Sequence, residues 1–170
     1  MNFSYAKSLL VGAIGLTSLY AGGARAETAD EAQIRALENR LIVAVAAKDT
    51  DAVMKLYVGD DRIFVFDAVP PRQYVGVAAW RKDIQGFFDI FAGPVNAEIS
   101  DLSIAASGDM AYSHSIQRFT GKLAKGGAFD TTLRLTDVYR KIDGEWLIVH
   151  EHVSVPVDFK TGKGDFASKP

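Results

Sequence analysis

The stretch that most constrains the fold is LRLTDVYRKIDGEWLIVHEHVSVPVD, residues 133–158. Asp143-Gly144 supplies the positive-φ pair that a two-residue hairpin turn requires, and Val, Ile, Tyr, Trp and Thr fill the flanks. The segment therefore reads as two long antiparallel strands. Strict alternation puts Leu133, Leu135, Asp137, Tyr139, Leu147, Val149, Glu151, Val153 and Val155 on one face. The other face carries Arg134, Thr136, Val138, Arg140, Trp146, Ile148, His150, His152 and Ser154. The first face is mostly aliphatic and belongs against a core, yet it holds two acids. A carboxylate there is costly unless it is paired, hydrated or neutral, so Asp137 and Glu151 become candidates for function.

Ahead of the hairpin, helices come first and strands afterwards. Over residues 28–47, Ile34, Leu37, Leu41, Ala44 and Val45 recur at helical spacing, with Glu31, Arg35, Glu38 and Arg40 assigned to the wet side. Lys48-Asp49-Thr50 breaks this helix, and residues 51–57 form a second, short one. A strand at 62–67 places Ile63, Val65 and Asp67 on one face and Phe64 and Phe66 on the other. An irregular passage through Pro70-Pro71 leads to a third helix over 77–91, with Trp80, Ile84, Phe87, Phe88 and Phe91 inward. Strands follow at 97–105, 110–120 and 129–140, so the hairpin completes a meander. This order predicts an α+β domain in which helix one covers one face of a curved sheet.

Lys7, the apolar run 9–19 and Ala24-x-Ala26 read as a signal peptide over residues 1–26, with the mature chain starting at Glu27. The run is too short for a membrane span. The folded domain is expected over 27–159, followed by a loosely ordered tail over 160–170, rich in Gly, Lys and Ser. Without cysteine there is no disulfide, thiol chemistry or lipid anchor, so the expected product is a soluble exported protein with no membrane association after signal removal. Losing Lys7 and Arg25 lowers Lys+Arg from 19 to 17 against 21 Asp+Glu, a net charge of −4 that makes nucleic acid a poor partner.

Several pieces, in order, carry a family likeness. They are Lys48-Asp49-x-Asp51 with Leu56-Tyr57, Tyr74-x-Gly76 leading into the third helix, Ser107-Gly108-Asp109-x-Ala111, and TDVYRKIDGEWLIVHEHVSVP. Together they resemble the SnoaL-like and ketosteroid-isomerase-like families, which share the cone fold of nuclear transport factor 2. The last piece is also similar to the association domain of calcium/calmodulin-dependent kinase, through Thr136, Asp143-Gly144, Trp146, Val149-His150, His152, Ser154 and Pro156. The resemblance implies a curved, mixed or antiparallel sheet wrapped around the N-terminal helix, with an apolar pocket at the open end of the cone. It places the face with Asp137 and Val153 inside. That face lacks the pocket arginines of association domains, which argues against a carboxylate ligand. By implication the face with Trp146, His150 and His152 is convex and makes a homodimer.

Set against ketosteroid isomerases, whose protonated aspartic acid is a known example of a neutral buried carboxyl, the base position falls on Asp67 when counted back from Gly76. Counted forward from Asp60-Asp61 it falls on Phe66. The helix-one tyrosine position is taken by Leu41, and the oxyanion acid aligns with Thr136, or with Asp137 after a one-residue shift. Steroid isomerisation itself is therefore not expected.

Two readings of the acids stay open. Asp67, Asp137 and Glu151 converge in the pocket as acid and base, since carboxyls in an apolar cavity have raised pKa values; or Asp137 and Glu151 pair with Arg118 or Arg134, or lie at the wet mouth. In the first reading Asp67 is general base, Asp137 its partner acid or oxyanion donor, and Glu151 a second acid. Tyr57, Tyr74, Trp80 and Tyr139 shape the ligand site. His150-x-His152, with His114, is read as an interface feature and not as a zinc site, because a full ligand set is missing. Lys125-Gly126-Gly127 precedes no helix and is a turn, not a phosphate loop. No Gly-x-Ser-x-Gly elbow is present, and no cofactor is implied. The functional expectation is an exported protein that binds a small apolar molecule, with proton-transfer chemistry of the isomerase, cyclase or dehydratase type. The alternative is a non-catalytic binding or assembly module.

Overall fold

The structure, a computed structural model, describes residues 26–168. The signal segment expected at residues 1–26 lies, Ala26 apart, outside the described residues. Helix α1 spans Ala29–Ala47 and is fixed at its start by a reciprocal cap. Thr28 N–H donates to Glu31 Oε2 at 2.8 Å, and Glu31 N–H donates to Thr28 Oγ1 at 3.2 Å. Lys48, in the left-handed region at φ 59°, ends the helix by returning its N–H to the last turn. The short α2, Thr50–Met54, is capped by Asp49.

The remaining elements are β1 (Phe64–Phe66), β2 (Tyr74–Val75), α3 (Val77–Asp89), β3 (Asn96–Ser107), β4 (Met110–Lys122), β5 (Ala128–Ile142) and β6 (Glu145–Ser154). They form one six-stranded sheet in the order β2-β1-β6-β5-β4-β3. Only the β1–β6 pairing within it is parallel, so the sheet is mixed. Its inner side packs against α1, where Ile34, Leu37 and Leu41 join Tyr139, Trp146 and Ile148 in one core. Gly76 starts α3 at φ +85°, and a Cβ there would meet Asp61 Oδ1 at 2.7 Å; only glycine fits.

Two sequence assignments need correction. Glu38 was placed on the wet side of α1 because it is charged, yet it is fully buried between Ile34 and Leu41 on the inner face; Glu31 is also buried. The second concerns the hairpin. Asp137 pairs with Glu151 and Val138 with His150, but Tyr139 pairs with Ile148, so Val149 is an extra residue in a bulge. The bulge reverses the alternation between the turn and Glu151. Trp146 and Ile148 therefore point inward, and Trp146 is 5% exposed with its indole N–H donating to Asp30 at 3.1 Å. Trp146 is accordingly removed from the convex face, which keeps His150 and His152 beside Phe64 and Phe66.

Part of the stretch expected as a tail, within the described residues, pairs with neighbouring backbone. Strand β7 (Val157–Asp158) pairs with β8 (Lys163–Gly164), and Thr132 N–H donates to the Phe166 carbonyl at 3.0 Å.

Candidate functional site

The inner side of the sheet and helices α1 and α3 enclose a cavity of about 790 Å³. Its apolar wall is built by Leu41 and Val45 of α1, Phe87 of α3, and Phe119, Phe129 and Leu135 of the sheet, with Phe166 of the tail. Its polar end holds Glu151, Asp67 and Asp83, with Tyr57, Tyr74 and Trp80 around them. Lys82 is the cation of the lining and is exposed. Thus Asp67, Glu151, Tyr57, Tyr74 and Trp80 come together as expected from sequence, whereas Asp137 and Tyr139 do not reach the cavity and lie fully buried behind its wall.

Backbone pairing explains why these groups meet. Ser113 of β4, Asp137 of β5, Glu151 of β6, Val65 of β1 and Tyr74 of β2 form one cross-strand row. Tyr57, just past α2, is held against β6 because Ile148 N–H donates to Leu56 O and Val58 N–H to Ile148 O, both at 2.9 Å. From there its hydroxyl donates to Glu151 Oε2. Trp80 packs on Tyr57 and Tyr74 with ring centroids 6.2 and 5.6 Å apart, and the Tyr74 hydroxyl donates to Asp83 at 2.5 Å.

Hydrogen accounting fixes the state of the buried acids. The single hydroxyl hydrogen of Tyr139 goes to Glu38 Oε1 at 2.6 Å, so Ser113, whose Oγ is 2.7 Å from the Tyr139 oxygen, must be the donor in that second contact. Ser113, the cross-strand neighbour of Asp137, also holds the Asp137 carboxyl down somewhat against its rise. Both Asp137 oxygens, and Glu38 Oε2, are buried without a hydrogen-bond partner as long as every carboxyl is ionised. A proton on Asp137 turns its contact with Glu151 into a hydrogen bond donated to Glu151, and this raises Asp137 while lowering Glu151.

The electrostatics agree. Burial pushes the Asp137 carboxyl far above its ordinary range, and the charges of Glu151 and Glu38 push it further. Glu151 is pushed up to about 7, chiefly by burial, with Glu38 and Asp67 adding to the rise and the bonds from Tyr57 and Asp137 opposing it. Burial also raises Glu38, against the bond from Tyr139. Asp67, half-buried, is raised by burial and by Asp83, and held back by the N–H of Ala68 at 2.7 Å. Neither arginine pairs with the acids: Arg118 binds Asp130 at 2.9 Å, and no cation partners Asp137 or Glu151 among the described residues.

Four participants escaped the sequence reading: Glu38, Asp83, Ser113 and Gln117. Gln117 lines the cavity, 2% exposed, and its amide donates only a long bond of 3.5 Å to Ser115. The signal for Glu38 was present, because positions 34, 37, 38, 41 and 45 make one helical stripe. His150 Nδ1 lies 2.7 Å from the Phe64 carbonyl on the opposite side of the sheet.

Comparison with known proteins bears on the fold. The SnoaL-like domain model matches residues 34–158. A nuclear transport factor 2-like protein of unknown function from Pseudomonas putida KT2440 is 32% identical, with a TM-score of 0.75 over 84% of this chain and 97% of that one. A proposed calcium/calmodulin-dependent protein kinase II association domain from Xanthomonas campestris is 24% identical, with a TM-score of 0.62 over 71% of this chain and 84% of its own. A proposed dehydratase of the nuclear transport factor 2-like family from Streptomyces avermitilis is 14% identical, with a TM-score of 0.63 over 74% and 95%. These last two show the fold alone. No curated protein matches the chain.

Proposed function

The chain belongs to the SnoaL-like family, and on that premise we propose that it binds a small, largely apolar molecule in the cavity and moves a proton on it without a cofactor. The observation that carries this reading is that Glu151 both lines the cavity and is pushed up to about 7, so it takes and returns a proton near neutrality. Glu151 thereby becomes the general base. Asp67 is the second acid or base at the polar end, and Asp137 supports Glu151 from behind by donating to it. Gln117 supplies an amide for orienting a carbonyl of the ligand, and the Tyr57 oxygen, whose hydrogen goes to Glu151, is left to accept from a ligand hydroxyl. Removal of a proton beside a carbonyl serves isomerisation, cyclisation or dehydration alike. The lining carries three acids against Lys82, so an anionic ligand is disfavoured and an uncharged one preferred.

The proposal includes export, resting on Lys7, the apolar run and Ala24-x-Ala26, and a homodimer through the convex face with His150, His152, Phe64 and Phe66. A second reading, a non-catalytic binding or assembly module, is favoured by Leu41, which puts an aliphatic side chain where a hydroxyl donor would serve catalysis. Incubation with enolisable one- and two-ring ketones in heavy water separates the two. The catalytic reading expects deuterium incorporation above the buffer rate, falling about 10²-fold or more in Glu151→Gln. Ketones that bind without exchanging would leave the non-catalytic reading.

A further inference from the structure

Glu38 has no role in the step assigned to Glu151, and it does not line the cavity. It is nevertheless a fully buried acid inside an apolar helix face, a costly placement. Its connections run toward the site. Tyr139 donates to one Glu38 oxygen at 2.6 Å, and Ser113 sits 2.7 Å from the same tyrosine hydroxyl. Ser113 is the cross-strand neighbour of Asp137, and Asp137 is the cross-strand neighbour of Glu151. The second Glu38 oxygen and both Asp137 oxygens are the carboxylate atoms left without a donor among the described buried side chains.

We infer that Glu38, Asp137 and Glu151 form one electrostatically coupled carboxyl unit closed to water at the Glu38 end, with Glu38 as a positioning residue that governs proton exchange by Glu151 at the cavity. Three carboxyls packed together in an apolar interior cannot all be ionised. Asp137, fully buried opposite Glu151 with both oxygens shut off from water, holds a proton and gives its hydrogen bond to Glu151. Tyr139 opposes the rise that burial imposes on Glu38, and the charge Glu38 carries when ionised acts on both neighbours. The groups facing the unit are Tyr139 and Ser113 from the sheet, Tyr57 from the α2 side, and Asp67 from the end of β1; Asp83 of α3 acts on Asp67. All are acids or hydroxyls, and among the described residues no cation acts on the unit to offset the repulsion. Glu38 is thus the remote control on Glu151, and this role rests on the assignment of Glu151 as the proton-exchanging group.

The test is a carbon-13 NMR titration of the Asp and Glu side-chain carboxyls in the protein and in Glu38→Gln. Removing the Glu38 charge lowers the Glu151 midpoint by roughly one pH unit, with the fold intact by circular dichroism. Where the glutamine variant does not fold, Glu38→Leu carries the test, since it removes the charge and restores the apolar stripe. In the wild type, Glu38 and Glu151 resonances show coupled, non-ideal titration over a shared pH range. A Glu151 midpoint unmoved in the folded variant, or independent titrations in the wild type, overturns the inference. Absence of deuterium exchange with any ketone, alongside a shifted midpoint in Glu38→Gln, would instead remove the proposed chemistry and leave this unit standing.

Discussion

Asp137 and Glu151 stand directly opposite each other on β5 and β6, and burial with the Glu151 charge holds a proton on Asp137, so the two acids are tied by the proton that Asp137 keeps. Only Glu151 of the two reaches the cavity. Asp137→Asn keeps a neutral donor to Glu151, so it should fold and leave Glu151 titrating close to its wild-type midpoint. Carboxyl NMR of that variant checks this. Asp137→Ala leaves a void and withdraws the bond to Glu151, at a cost of about 2–4 kcal/mol measured by urea unfolding.

Stability should decrease with rising pH. A carboxyl whose folded pKa lies above its unfolded value keeps its proton longer in the folded state, so folding loses ground as pH climbs between the two values. For Glu151 the window runs from 4.5 to about 7. Urea unfolding at pH 5 should therefore give a larger free energy than at pH 8, by a few kcal/mol. Glu151→Gln removes that contribution and flattens the profile.

The inward turn of Trp146 predicts an asymmetry along one strand. Trp146→Ala should cost about 3–5 kcal/mol, as for a large aromatic lost from a core, whereas the exposed His152→Ala should stay within about 0.5 kcal/mol. Chemical denaturation of the two variants decides whether the bulge at Val149 sets the register. Equal, small effects would mean that Trp146 faces outward.

Most of the fold was legible because it depends on patterns that short windows contain. The periodicity of Ile34, Leu37, Leu41 and Val45 located α1, and Asp143-Gly144, with φ values of 52° and 87°, located the hairpin. What failed has one physical root: a local rule was applied where tertiary structure overrides it. Charge assigned Glu38 to water, but Tyr139 and the apolar stripe hold it inside. Strict alternation assigned Trp146 outward, but one extra residue at Val149 reversed the face. Composition also gave no sign that Phe166, bonded through Thr132, lines the cavity. Of the site, Asp67, Glu151, Tyr57, Tyr74 and Trp80 were legible as inward groups at one end of the cone. The division of labour between Asp137 and Glu151 was not, because it depends on which acid the wall covers.

Phe166 at the cavity edge rests on Gly164, where an added Cβ would stand 2.9 Å from the Phe166 ring and 3.0 Å from Val155 Cγ2. Gly164→Val should push the ring off its seat and speed dissociation of an apolar fluorescent probe from the cavity severalfold. Stopped-flow release checks this, and unfolding free energy should change by less than about 1 kcal/mol, since the segment is exposed.

The central claim is that one carboxyl, Glu151, exchanges protons near neutrality at the cavity wall. The most direct measurement is the wild-type carbon-13 titration of the Glu151 side chain, assigned by its disappearance in Glu151→Gln. A midpoint near 7 is predicted, against 4.5 for an unburied glutamate. A midpoint at or below 4.5 would mean that Glu151 is a plain carboxylate at neutral pH, and the proposed proton transfer would lose its base.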